Sequence, residues 1–141
     1  MRLTVEIEGQ PGAATLPGDG EQLVAFMSFA LSRGFGATHP LIALADRLAE
    51  LRVPLGPLTS FYSREPEDAE DVEKLELAWQ PAGDLRECLE RLLEAMENDA
   101  LAATLVRRAG AEPLAGQVRG ALLPVAQAEA SGRRVRLVYD L

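Results

Sequence analysis

The side chains best suited to chemistry at neutral pH are scarce in this sequence, and they stand apart. There is one histidine (His39), one cysteine (Cys88) and one lysine (Lys74). Most protein bases, nucleophiles and metal ligands come from these three types. No two of them are close in sequence. His39 as a general base needs an orienting carboxylate and a nucleophile. Ser28, Ser32, Ser60 and Ser63 offer hydroxyls, but no Gly-x-Ser-x-Gly elbow surrounds any of them. Cys88 falls at helical spacing among Leu85, Leu89 and Leu92, the setting of a small buried hydrophobe. A reactive thiol needs cationic neighbours and exposure instead. The sequence assigns no catalytic residue, metal site or cofactor.

One loop has a composition that suits a ligand. Ser32-Arg33-Gly34-Phe35-Gly36-Ala37-Thr38-His39-Pro40 combines Gly-x-Gly with a threonine, an arginine and the histidine. Glycines let backbone amides approach an anion, and a following helix N-terminus adds partial positive charge. Arg33 can add a bidentate contact. Arg33, Gly34, Gly36 and His39 are therefore the ligand-binding residues of one reading, a small-molecule enzyme or sensor for an anionic ligand. The same residue types also serve as a helix C-cap, a turn and an N-cap in succession.

A second feature is electrostatic. Glu65, Glu67, Asp68, Glu70, Asp71 and Glu73 crowd into nine residues, with Arg64 and Lys74 at the edges. Such a run is either a solvated linker or exposed turn, or a docking surface that steers a basic partner. The EF-hand spacing and its central glycine are missing, which argues against calcium. Arg133, Arg134 and Arg136 form a basic counterpart near the end. They suit an acidic ligand, or cross-strand pairs with Glu6 and Glu8.

The elements that position these residues follow from periodicity. Period-two alternation marks strands at 2–8, 73–80 and 134–141, and 58–62 is a short fourth candidate. A sheet uniting the outer two brings the termini together. Asp19 caps a first helix that runs to about Arg33 and stops at Gly34. Its apolar residues occupy most of its circumference, which suits a central helix or one that also feeds a subunit interface. Pro40 opens a second helix and Gly83-Asp84 a third. Asn98-Asp99 either re-caps a fourth helix or only interrupts the third. Pro113 opens the last, which Pro124 should kink or split.

The 141 residues suit a single globular domain, 1–141. A chain of this size buries roughly 70% of its unfolded surface, so it can fold without a metal or disulfide. The net charge of −8 works against nucleic-acid binding. No apolar run approaches a membrane span, and the alternating start does not read as a signal peptide. With one cysteine, a cytoplasmic protein is expected. Scarce lysine with abundant Ala, Leu and Gly suggests a GC-rich genome. The expected fold is α+β, a small mixed or antiparallel sheet of 3–4 strands covered by 4–5 helices. That layout resembles small bacterial proteins of immunity or adaptor type. The leading function is a non-catalytic interaction module for a basic protein partner, with homodimerisation through a helical face.

Overall fold

The computed structural model describes residues 1–31 and 39–141. Alternating apolar residues build the two central strands, Arg2–Ile7 and Val135–Asp140, as expected. β1 (Arg2–Ile7), β2 (Ala14–Thr15), β3 (Phe61–Ser63) and β4 (Val135–Asp140) lie in the order β2-β1-β4-β3. β1 and β4 are antiparallel from Arg2↔Asp140 to Ile7↔Val135, and β3 runs parallel to β4. Leu3, Val5, Ile7, Val135 and Leu137 share one face and are buried. A one-residue slip would turn all of them outward, so the buried face fixes the register.

Six α-helices occur among the described residues: α1 (Glu21–Ala25), α2 (Pro40–Glu50), α3 (Ala69–Leu77), α4 (Ala82–Asn98), α5 (Ala100–Arg108) and α6 (Leu114–Ala130). The mixed α+β architecture is the expected one. α1 continues as a π-helical segment, Phe26–Leu31. Leu23, Val24, Phe26 and Met27 are buried in the chain's own core. The expected Asp19 cap does not form. Gly18, Asp19 and Gly20 take φ of 57°, 58° and 67°, and the helix start finds its acceptor elsewhere. The buried Gln117 Oε1 on α6 accepts the N–H groups of Gln22 (2.9 Å) and Leu23 (3.0 Å). Free N–H groups at a helix start need such a partner.

Asp99 re-caps α5, its Oδ2 accepting Ala102 N–H at 3.0 Å. The Arg47 guanidinium grips the same carboxylate at 3.0 and 2.8 Å and ties α2 to this corner. α6 is not split at Pro124. It runs from Leu114 to Ala130, with Ala121, Pro124 and Val125 all buried, and that burial offsets the lost backbone bond.

The largest correction concerns residues 73–80. The expected strand is the helix α3 and its exit. Asp68 Oδ1 caps it by accepting Asp71 N–H at 2.8 Å, and Glu70 pairs with Lys74 at 3.4 Å. Only Gln80 bridges to β4, through Val135. Of the brief 58–62 candidate, Phe61 and Tyr62 fall in β3, whereas Leu58 ends a 3-10 turn, Gly56–Leu58. Among the described residues, no helix is long and apolar enough to cross a membrane.

Candidate functional site

The outer face of the sheet carries charge. Opposite the core, Arg2 pairs with Asp140 at 3.2 Å, Arg136 with Glu6 at 2.7 Å and Arg134 with Glu8 at 2.6 Å. The C-terminal arginines thus make the cross-strand pairs their spacing allowed. Arg64, just past β3, extends across the same face. Its guanidinium donates to Asp140 Oδ1 (2.7 Å), Glu6 Oε2 (2.6 Å) and Thr4 Oγ1 (2.7 Å). Arg64 and Arg2 beside Asp140 hold its carboxyl below the usual range, and Arg134 does the same for Glu8. These charge-assisted bonds occupy the guanidinium donors within the sheet, which leaves little for an added anion.

Arg136 also anchors α3. Its Nη1 donates to the Leu75 carbonyl oxygen at 2.9 Å, and its guanidinium carbon lies 4.1 Å from the Trp79 ring centroid. Gln80 Nε2 donates to the Pro57 carbonyl oxygen at 3.0 Å. Arg64 at one end and Arg136, Trp79 and Gln80 at the other fix the acidic segment between them.

That segment is ordered and outward-facing. α3 buries none of its side chains, and Leu77 keeps 76% of its surface in solvent. Glu65, Glu67, Asp68, Glu70 and Glu73 are exposed and Asp71 is half-buried. Asp68 and Asp71 help build the helix start, since Asp71 Oδ2 also accepts Glu67 N–H at 3.4 Å. The Glu70 carboxylate raises the Lys74 pKa. Among the described residues, the carboxylates of Glu65, Glu67 and Glu73 have no hydrogen-bond or ion-pair partner.

Where β3 and β4 end, the 64–68 loop turns back and encloses a cleft of about 310 Å³. Ser63, Glu65, Pro66, Glu67, Tyr139, Asp140 and Leu141 line it. A smaller hollow of about 100 Å³ shares Ser63, Pro66 and Tyr139 and reaches Tyr62 and Asp71. This cleft was not evident in the sequence, because residues 63–67 and 139–140 meet only through the parallel pairing of β3 with β4.

Of the alternative ligand residues, Arg33, Gly34 and Gly36 lie outside the described residues. His39 is exposed and forms the N-cap of α2: its Nδ1 accepts Leu41 N–H at 3.1 Å. Its ring meets the Phe29 ring edge-on at 4.5 Å. Cys88 is fully buried, and desolvation pushes its thiol up to about 12. A further cavity of about 230 Å³ lies between the end of α2 and α4. Arg91 there donates to the carbonyl oxygens of Leu51 (3.3 Å) and Arg52 (3.4 Å). No family model, curated protein or solved structure matches the chain.

Proposed function

We propose that this chain is a non-catalytic interaction module, adaptor- or immunity-like, which docks a basic protein partner on the surface from Glu65 to Glu73 and acts in the cytoplasm. One observation carries the reading. A capped helix that buries no side chain, with the loop before it, carries six carboxylate residues, five of them exposed and Asp71 half-buried, and the only lysine among them is paired. A helix of this kind adds little apolar burial to the fold, so its order serves display. Six carboxylates within nine residues give a local field that speeds association with a cationic surface and is screened by salt.

The test compares the native chain with a variant carrying Glu67→Gln, Asp68→Asn, Glu70→Gln and Asp71→Asn. Asp68→Asn keeps a capping side chain, so the helix start is preserved. Each is used as bait in lysate of the source cells, eluted with rising salt, and the association rate of the captured protein is then measured. Slower association and a flatter salt dependence are expected for the variant. Equal rates and equal salt dependence would overturn the proposal.

Homodimerisation is a separate reading with its own observation. The first helix and α6 pack together, yet Phe29 and Leu123 keep 36% and 67% of their surface exposed. Light scattering at tens of micromolar should give a dimer's mass, and a monomer's mass sinks this reading.

A further inference from the structure

The cleft outside the carboxyl ends of β3 and β4 has a more specific chemistry than the acidic surface around it. The ends of parallel strands are where sheets leave crevices for ligands. About 310 Å³ is at the lower end of small-ligand sites, which run from roughly 300 to 1,000 Å³, so it suits one long side chain.

Its wall combines an aromatic ring with uncompensated charge. Tyr139 lines one side, half-buried and set edge-on to Phe61 with ring centroids 5.9 Å apart. Glu65 and Glu67 also line the cleft, and their carboxylates have no partner among the described residues. Asp140 is different: Arg64 at 2.7 Å and Arg2 at 3.2 Å already match its charge. Among the described residues, no cationic side chain lines the cleft. The loop is also preformed. Ser63 Oγ accepts Glu65 N–H at 3.2 Å, Pro66 restricts the backbone between the two glutamates, and Glu67 N–H is held by Asp71. A preformed site loses less entropy on binding.

We propose that this cleft receives a single guanidinium-bearing side chain, an arginine presented by the basic protein partner. A planar guanidinium stacks on an aromatic face and forks onto a carboxylate, which an ammonium does less well. The inference rests on the docking reading above and adds to it a defined anchoring pocket, since buried arginines placed centrally dominate many interfaces.

The experiment is an amide NMR titration of the full chain with acetyl-Gly-Arg-Gly-amide, at constant ionic strength. The lysine and glutamine analogues and free L-arginine serve as comparison arms. Saturable shifts confined to Ser63, Glu65, Glu67 and Tyr139 are expected with the arginine peptide. The lysine peptide should bind more weakly, and the glutamine peptide should leave the cleft unshifted. The double variant Glu65→Gln/Glu67→Gln should lose roughly tenfold or more in affinity, the scale of charge-assisted hydrogen bonds. Glu21→Gln/Glu112→Gln, outside the docking surface and not lining the cleft, should leave the shifts unchanged. Shifts spread evenly along residues 65–76, or equal binding of the lysine peptide, would overturn the arginine pocket. So would free L-arginine binding more tightly than the peptide, which would indicate a small-molecule site. If cleft shifts are absent while the four-residue variant of the previous section still slows partner association, the pocket fails and the docking reading stands. If both are absent, both fail.

Discussion

Arg136 on β4 lies with its guanidinium 4.1 Å from the ring of Trp79, at the exit of α3. The same side chain reaches Glu6 at 2.7 Å and the Leu75 carbonyl oxygen at 2.9 Å. One residue thus joins sheet pairing, cation–π contact and helix anchoring, and only 14% of it is exposed. Arg136→Ala leaves the half-buried Glu6 with Arg64 alone and frees α3 at its C-terminal end. We expect a loss of about 2–3 kcal/mol in stability, toward the lower range for breaking shielded pairs. Arg136→Lys should recover only part of it, because an ammonium does not reach three partners in a plane. Trp79 is the only tryptophan, so its fluorescence reports on this site. Urea unfolding with an unchanged midpoint in Arg136→Ala would contradict the assignment.

Gln117 is buried and gives its Oε1 to two N–H groups at the start of α1. Gln117→Leu fills similar space but supplies no acceptor. Leu23 N–H is then buried without a partner and Gln22 N–H partly so. An unsatisfied buried group costs about 1–3 kcal/mol. The expected signature is local as well as global: hydrogen exchange at residues 22 and 23 accelerates more than exchange in α4. Uniform loss of protection would instead mean that Gln117 acts only through core volume.

Burial explains which elements the sequence discloses. The first and last strands were legible, since each has one face in the core and alternates cleanly. Arg134 and Arg136 could be matched to Glu8 and Glu6 for the same reason. Residues 73–80 misled because Leu75, Leu77 and Trp79 also recur every second residue. α3 buries nothing, so no 3.6-residue apolar stripe is written into it. The local signals were there: a capping aspartate at 68, Glu70 four residues before Lys74, and glutamate and leucine as good helix formers. The cap on α1 was not legible, because its acceptor is supplied from 94 residues away. The cleft was hidden likewise, being a product of tertiary pairing between segments far apart in sequence.

Cys88 has no exposed surface, and desolvation pushes its thiol up to about 12. The thiolate is the reactive form, so the folded protein should resist a thiol reagent at pH 8 and react fully once unfolded in guanidinium. The sign of the pH dependence follows. The folded pKa lies above the unfolded value of about 8.5. Burying the neutral thiol therefore favours the fold below that value, and this contribution falls away as pH rises from 8.5 toward 12. Cys88→Ala removes the alkaline term but leaves a small void in the core. Rapid labelling of the native chain at pH 8 would show that α4 opens locally.

Asp99 is held by Arg47 at 2.8 Å and by Ala102 N–H at 3.0 Å, and these bonds, the Arg47 one foremost, bring its pKa down to about 2. An unfolded aspartate titrates near 3.9. The folded value is the lower one, so the contribution is complete above pH 4 and disappears as pH falls through 2. Asp140 and Glu8, also lowered by arginine partners, act in the same direction. Asp99→Asn keeps a capping oxygen for α5 and loses the charge that meets Arg47. Native and variant melting temperatures should differ most at pH 5–7, with the native chain higher. The gap should narrow between pH 4 and 2, and added salt should shrink it at neutral pH, since the pair is partly exposed. A gap that stays constant from pH 6 to pH 2 would mean that the ionised carboxylate contributes nothing to joining α2 with α5.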